Sequence, residues 1–144
     1  MRKRRSARVL LFNPAGSILL IRFVVPRDEQ DFVFWLTPGG EIEPGELESA
    51  AAERELFEEL GLQVKVEGPV HTESNSFLHQ GEMRENTDFF FRASCERSAP
   101  LLSGITPEEI AVMQEIRWWT LEEVEHTGDL IFPRNLPQLI RQLP

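Results

Sequence analysis

Apolar positions along the chain fall into short blocks separated by turn chemistry. Val9 to Phe12 form an unbroken apolar run, and Asn13-Pro14-Ala15-Gly16 ends it. Asn, Pro and Gly each favour turn backbone, so residues 8–13 read as a strand closed by a turn. Residues 17–25 resume the apolar pattern, and two strands around a short turn make a hairpin. Residues 26–31 are a polar loop. Residues 32–36 are aromatic and β-branched, which suits a short strand. Thr37-Pro38-Gly39-Gly40 follows and is expected to lie outside regular structure.

The only strong helical pattern lies between Pro44 and Leu60. Ala52, Leu56 and Leu60 recur at i, i+4 and i+8, a stripe that faces a core. The helix is expected to begin at residues 47–49 and to stop at Gly61, a typical C′ glycine. Residues 63–67 alternate as a strand, and 71–77 form another. Residues 82–86 read as a polar loop and 87–93 as a β-rich aromatic run. In that run, Phe89 and Phe91 share one face, opposite Phe90. Residues 98–114 make a long irregular connection, within which Pro107-Glu108-Glu109 suits one helical turn. Residues 115–120 form the last strand, 121–126 a short helix and 133–143 a C-terminal helix with proline at its start. No internal repeat or low-complexity tract is present. Strands interrupted by helices indicate a mixed α/β chain.

The 144 residues suit one domain spanning the whole chain, with a core that needs no disulfide staple. The basic cluster Arg2-Lys3-Arg4-Arg5 reads as a frayed, solvated end, so residues 1–6 are expected to be flexible. No apolar run approaches the roughly 20 residues of a membrane-spanning helix, and no cleavable leader pattern is visible. A single cysteine, Cys95, excludes an internal disulfide. It reads as a packed small hydrophobe and fits a reducing compartment, so a cytoplasmic location is expected. The net charge of −9 disfavours a broad nucleic-acid-binding face, and no membrane partner is expected. A chain this acidic must bring positive charge to a phosphate locally, from a metal ion or a few placed Arg and Lys side chains.

Candidate chemistry concentrates in residues 40–62. Glu55, Glu58 and Glu59 stand at i, i+3 and i+4, one helix face with Cβ atoms about 5–6 Å apart. Like charges so placed oppose helix formation unless a cation compensates, and hard divalent cations prefer oxygen ligands. Arg54 lies four residues before Glu58 and can pair with it, and with Glu46 across the loop, orienting a ligand from behind. Glycines 39 and 40 let backbone approach a ligand closely, and a carbonyl there adds a ligand oxygen. A plain solvated acidic helix would account for three glutamates alone, but not for the spacing of the whole segment.

That spacing runs Gly40, five residues, Glu46, seven residues, Arg54-Glu55-Leu56, one residue, Glu58-Glu59, one residue, Gly61-Leu62. It resembles the complete Nudix box. Seven fixed identities, each at a frequency of about 7%, coincide on the order of 10⁻⁸ per starting point. Trp35-Leu36-Thr37-Pro38-Gly39-Gly40 resembles the family's approach to the box. Trp118-Trp119-Thr120-Leu121-Glu122-Glu123-Val124 resembles its last strand and following helix.

The resemblance implies an α/β/α sandwich around a mixed sheet, with Mg²⁺ or Mn²⁺ as cofactor. By position, Glu55, Glu58 and Glu59 would be metal carboxylates, with the Gly39 carbonyl as an extra ligand. Arg54 would orient a carboxylate, and Glu46 would be structural or outer-shell. Glu58, Glu59, Arg54 and Glu115 are the expected catalytic group. Within it the general base is Glu59 in the box or a glutamate outside it, with Glu115 to be tested before Glu108 and Glu109. Arg22 and Gly40 are expected to meet the substrate. The histidines, His71, His79 and His126, are too scattered to suggest a metal site.

The expected reaction is metal-dependent hydrolysis of a nucleoside diphosphate linked to another group. Two markers of family branches are absent downstream of the box: the segment Phe77-Leu78-His79 carries no proline, and the chain has no tyrosine. A nucleoside triphosphate pyrophosphohydrolase therefore leads, ahead of a nucleotide-sugar or ADP-ribose-type diphosphatase. A Nudix-like nucleotide sensor without turnover is the reading from another class, and the intact carboxylates weigh against it. The expected partner is a small nucleotide-like substrate, with homodimerisation left open.

Overall fold

The computed structural model describes residues 2–96 and 113–143. Among these residues, eight strands form one mixed sheet. They are β1 (Arg2–Phe12), β2 (Ile18–Val25), β3 (Phe32–Leu36), β4 (Gly39–Glu41), β5 (Glu67–His79), β6 (Glu82–Ser94), β7 (Met113–Trp119) and β8 (Ile131–Phe132). The order is β5-β6-β1-β2-β3-β8, with β4 added to β1 and β7 to β2. The β1–β6 and β3–β8 pairs are parallel, and the others are antiparallel. Among the described residues, three helices flank the sheet: α1 (Glu48–Leu60), α2 (Leu121–His126) and α3 (Leu136–Gln142).

Alternation along β1 splits the core in two. Ala7, Val9 and Leu11 point toward α1, where they meet Ala52, Leu56 and Leu60. Leu10 points the other way, into a cluster with Trp35, Phe90, Trp119, Val124 and Leu136. The sheet is thus covered by α1 on one face and by α2 and α3 on the other, the expected sandwich. Phe91 packs with the α1 side and Phe90 with the other, as the alternation required. Cys95 is buried in the α1-side core. Gly61 closes α1 in the left-handed region, with its own N–H donating to the Phe57 carbonyl and the Leu62 N–H to the Leu56 carbonyl. No helix among the described residues is long and apolar enough to cross a membrane.

Several expectations need correction. The backbone from Arg2 to Ser6 is not a solvated end; it is the first half of β1, paired residue by residue with Arg84 to Asp88 of β6. The reason is non-local: a parallel strand from far along the chain supplies the hydrogen bonds, and the charged side chains of Lys3, Arg4 and Arg5 stay exposed. Residues 39–41 are a strand, with Gly39 opposite Arg8 and Gly40 opposite Ala7. Residues 63–66 carry no regular structure, and β5 begins at Glu67. Residues 82–86 belong to β6, because β5 and β6 extend as one long hairpin past their apolar stretch. Strand β7 is not the last, since β8 follows it. The third helix begins at Leu136 rather than Pro133. Glu108 and Glu109, with most of the connection around them, lie outside the described residues.

Candidate active site

The segment from β4 to α1 is built around Arg54. Its Nε and one terminal nitrogen donate to the two oxygens of Glu46 at 2.8 and 3.0 Å. The same terminal nitrogen donates to the Glu41 carbonyl at 3.0 Å. The other donates to Glu55 Oε1 at 3.0 Å and to Glu58 Oε2 at 3.1 Å. One guanidinium therefore ties the loop carboxylate to two helix carboxylates. A planar fork of five donors can do this, and an ammonium cannot. The bond to Arg54 is the main reason the Glu46 carboxyl sits below the ordinary range. Glu46 Oε1 also accepts from the Glu43 N–H at 3.0 Å, closing the loop on itself.

The third helix carboxylate behaves differently. Glu59 is 6% exposed, and its Oε1 accepts the Gly39 N–H at 2.8 Å, so α1 is pinned to β4 from within. The two β4 glycines leave room for different neighbours. A Cβ on Gly39 would stand 2.1 Å from the Ala7 carbonyl oxygen, and one on Gly40 would stand 2.5 Å from the Glu55 carboxylate. Glu55 is mostly buried, and that burial raises its carboxyl above the ordinary range despite Arg54.

These donors suit a divalent cation in kind: three hard carboxylates on one helical turn, one of them desolvated and short of compensating charge. Among the described residues, no three His, Cys, Asp or Glu side chains converge tightly enough to cage an ion. Arg54 occupies the space between Glu55 and Glu58, and Gly39 engages Glu59.

Beside this network a cleft opens between the β1–β6 half of the sheet and the β3–β8 half. It has two lobes, of about 660 and 840 Å³, that share Arg8, Leu36, Asn75, Asp88 and Phe132. Glu41, whose carbonyl holds Arg54, stands on its rim. Phe34 and Phe132 meet edge to face at 5.6 Å on its wall. Asn135 reaches Glu73 at 2.6 Å, joining the start of α3 to β5 across the smaller lobe.

Sequence reasoning missed Arg8, Thr37, Asn75 and Asp88. One signal was available: Arg8 stands apart from the basic cluster at residues 2–5, directly before the apolar run Val9 to Phe12. Arg22, by contrast, lies within β2, opposite Trp35 and Glu115. Its side chain makes no hydrogen bond or ion pair among the described residues. Glu115 is exposed on β7. Neither Arg22 nor Glu115 lines the cleft among its described walls.

A mixed sheet sandwiched by helices, with an acidic helix pinned to a double-glycine strand, defines an α/β/α architecture shared with a known enzyme class. The NUDIX domain model matches residues 2–139. The chain belongs to the Nudix family and is a pyrophosphohydrolase acting on phosphoric anhydrides. Hydrolases of this family use divalent metal cations and act on small nucleotide-like substrates.

Among solved structures, it is similar to the MutT protein of Methanosarcina mazei Go1 (20% identity, 97% of this chain and 91% of that one, TM-score 0.71). It is also similar to the dihydroneopterin triphosphate pyrophosphohydrolase of E. coli (18% identity, 99% and 97% covered, TM-score 0.70). A third is a C. elegans Ap4A hydrolase in a binary complex (22% identity, 96% and 93% covered, TM-score 0.62). At such identities the likeness is one of fold. No curated protein sequence matches the chain.

Proposed function

We propose that this enzyme is a nucleoside triphosphate pyrophosphohydrolase, releasing a nucleoside monophosphate and pyrophosphate with Mg²⁺ or Mn²⁺. The observation that carries the reading is the Arg54 network, which presents Glu55 and Glu58 side by side next to a cleft wide enough for a nucleoside. The resemblance to a triphosphate pyrophosphohydrolase adds weight.

Glu55, Glu58 and Glu59 would hold the cation, with the Gly39 carbonyl as a further ligand. A divalent cation there neutralises charge on the phosphoryl oxygens and lowers the pKa of bound water. The rest falls to the chain. Arg54 holds two carboxylates in place, and Glu46 holds Arg54. Gly40 keeps the space before Glu55 open for the substrate. Glu59 and Glu115 are the groups to test for the general base. Glu59 is preorganised by Gly39, whereas Glu115 stands across the β2–β7 pair beside Arg22. Arg22 we keep as a phosphate contact to be tested with it. The lone buried Cys95 suits a cytoplasmic setting.

The test is turnover of nucleoside triphosphates, oxidised ones included, alongside nucleotide sugars, ADP-ribose and dinucleoside polyphosphates, with each metal. Metal-dependent pyrophosphate release from triphosphates, lost in Glu58→Gln and Glu59→Gln, is expected. Preference for a nucleotide sugar or ADP-ribose would replace the substrate. Loss of turnover in Glu115→Gln with Glu59→Gln still active would move the base out of the box.

A further inference from the structure

Among the described residues, Arg8 is a cation that the box network does not account for. Arg8 sits on β1 opposite Gly39 of β4 and Phe90 of β6, and its side chain enters the cleft. It donates to the Thr37 carbonyl at 3.1 Å. Among the described residues that is its one side-chain hydrogen bond, and no carboxylate stands within ion-pair distance. A guanidinium carries five donors, and leaving a desolvated cation without a counter-charge is costly. Desolvation is indeed the largest influence on it, pulling its pKa down. Asp88 and Glu59 act on it only from a distance.

A second, independent observation points to the same wall. Thr37 is 1% exposed, and its hydroxyl is buried without a partner among the described residues. It lines the same lobe as Arg8. Arg84 Nε, also buried and unpartnered, lines the other lobe. Among the described residues, two of the three buried side-chain polar atoms without partners thus belong to residues that line this cleft. In a folded interior such groups are normally satisfied, so each asks for an explanation.

We infer that Arg8 and the Thr37 hydroxyl form a phosphate-holding site that works without the divalent cation and takes the phosphate left on the nucleoside. This rests on the pyrophosphohydrolase reading of the same cleft. The placement follows from the strands. Arg8 pairs with Gly39, whose N–H is held by Glu59, so one strand spacing of about 4.8 Å separates Arg8's strand from the backbone against which the box carboxylates rest. A phosphate on Arg8 would lie next to the seam where the anhydride is cut. The nucleoside would then run along the cleft toward Asn75, Asp88 and Phe132. Asp88 faces Arg8 from β6, and its charge repels a phosphate placed any deeper. That sets the order of phosphate at the seam and nucleoside beyond it.

The test measures binding in EDTA, using inorganic phosphate and the four ribonucleoside monophosphates as probes, by calorimetry. The wild type is expected to bind the monophosphates without metal, and more tightly than inorganic phosphate. Arg8→Met should weaken this at least ten-fold, and Arg8→Lys less. Thr37→Val keeps the shape but removes the hydroxyl. It should weaken binding several-fold with an unchanged or raised Tm, because it deletes an unsatisfied buried group. Mn²⁺ affinity, read by paramagnetic resonance, should stay within two-fold of wild type in all three variants.

Metal-free binding equal to wild type in Arg8→Met and Thr37→Val would overturn the inference. So would a parallel loss of Mn²⁺ affinity, which would mean the residues act through the box. Inorganic phosphate bound as tightly as any monophosphate would remove the nucleoside arm. If triphosphates are not hydrolysed, the substrate reading fails while these binding outcomes still judge Arg8 and Thr37.

Discussion

The Arg54–Glu46 pair makes a quantitative prediction through a double-mutant cycle of Arg54→Met and Glu46→Gln. Both side chains are mostly buried, at 23% and 16% exposure, and the contact is a two-bond fork. An exposed ion pair contributes about 0–1 kcal/mol, whereas breaking a fully buried one costs about 3–5 kcal/mol. This pair lies between those limits, so a coupling of about 2 kcal/mol is expected at pH 7. Arg54→Met alone should cost about 3 kcal/mol, because Glu55 then stays desolvated beside Glu58 with no cation between them. Arg54 holds the folded-state pKa of Glu46 below its ordinary value of 4.5. The stabilisation is therefore fully present above that value and disappears as pH falls through the lower, folded pKa. Urea unfolding of the four proteins at pH 7 and near pH 3 reads both claims. A coupling under about 0.5 kcal/mol at pH 7, or one unchanged by acid, would refute the view that Arg54 organises the loop electrostatically.

The two β4 glycines should fail in different ways. Gly39→Ala drives a methyl into the Ala7 backbone at a φ of 147°, and should cost about 3 kcal/mol or more in urea unfolding. Gly40→Ala meets only the flexible end of Glu55, so stability should hold within about 1 kcal/mol while steady-state turnover falls at least ten-fold. Leu56→Ala, at a fully buried position beneath the box, should cost about 2–5 kcal/mol by chemical denaturation. Thr120 and Glu123 cap α2 reciprocally, so Thr120→Ala should lower stability by about 1 kcal/mol, with Mn²⁺ affinity unchanged by paramagnetic resonance.

Local pattern alone was enough for the box helix, its glycine stop, the first hairpin and the short capped helix. In each, the deciding interactions lie within a few residues of one another. A 3.6-residue period places Glu55, Glu58 and Glu59 together whatever surrounds the helix, and Arg54 is close enough along the chain for its pairing with Glu58 to follow from spacing. Contacts between distant segments decided the rest. Residues 2–6 become strand because β6 offers a parallel partner more than eighty positions away. The glycine pair becomes β4 because β1 lies beside it. Glu59 leaves the acidic surface for the interior because the Gly39 N–H is there to receive it. The cleft draws Arg8, Thr37, Asn75, Asp88 and Phe132 from five separate elements or turns. No periodicity joins such positions; only the closing of the sheet on itself brings to one wall a guanidinium without an ion-pair partner and a hydroxyl without a hydrogen-bond partner among the described residues.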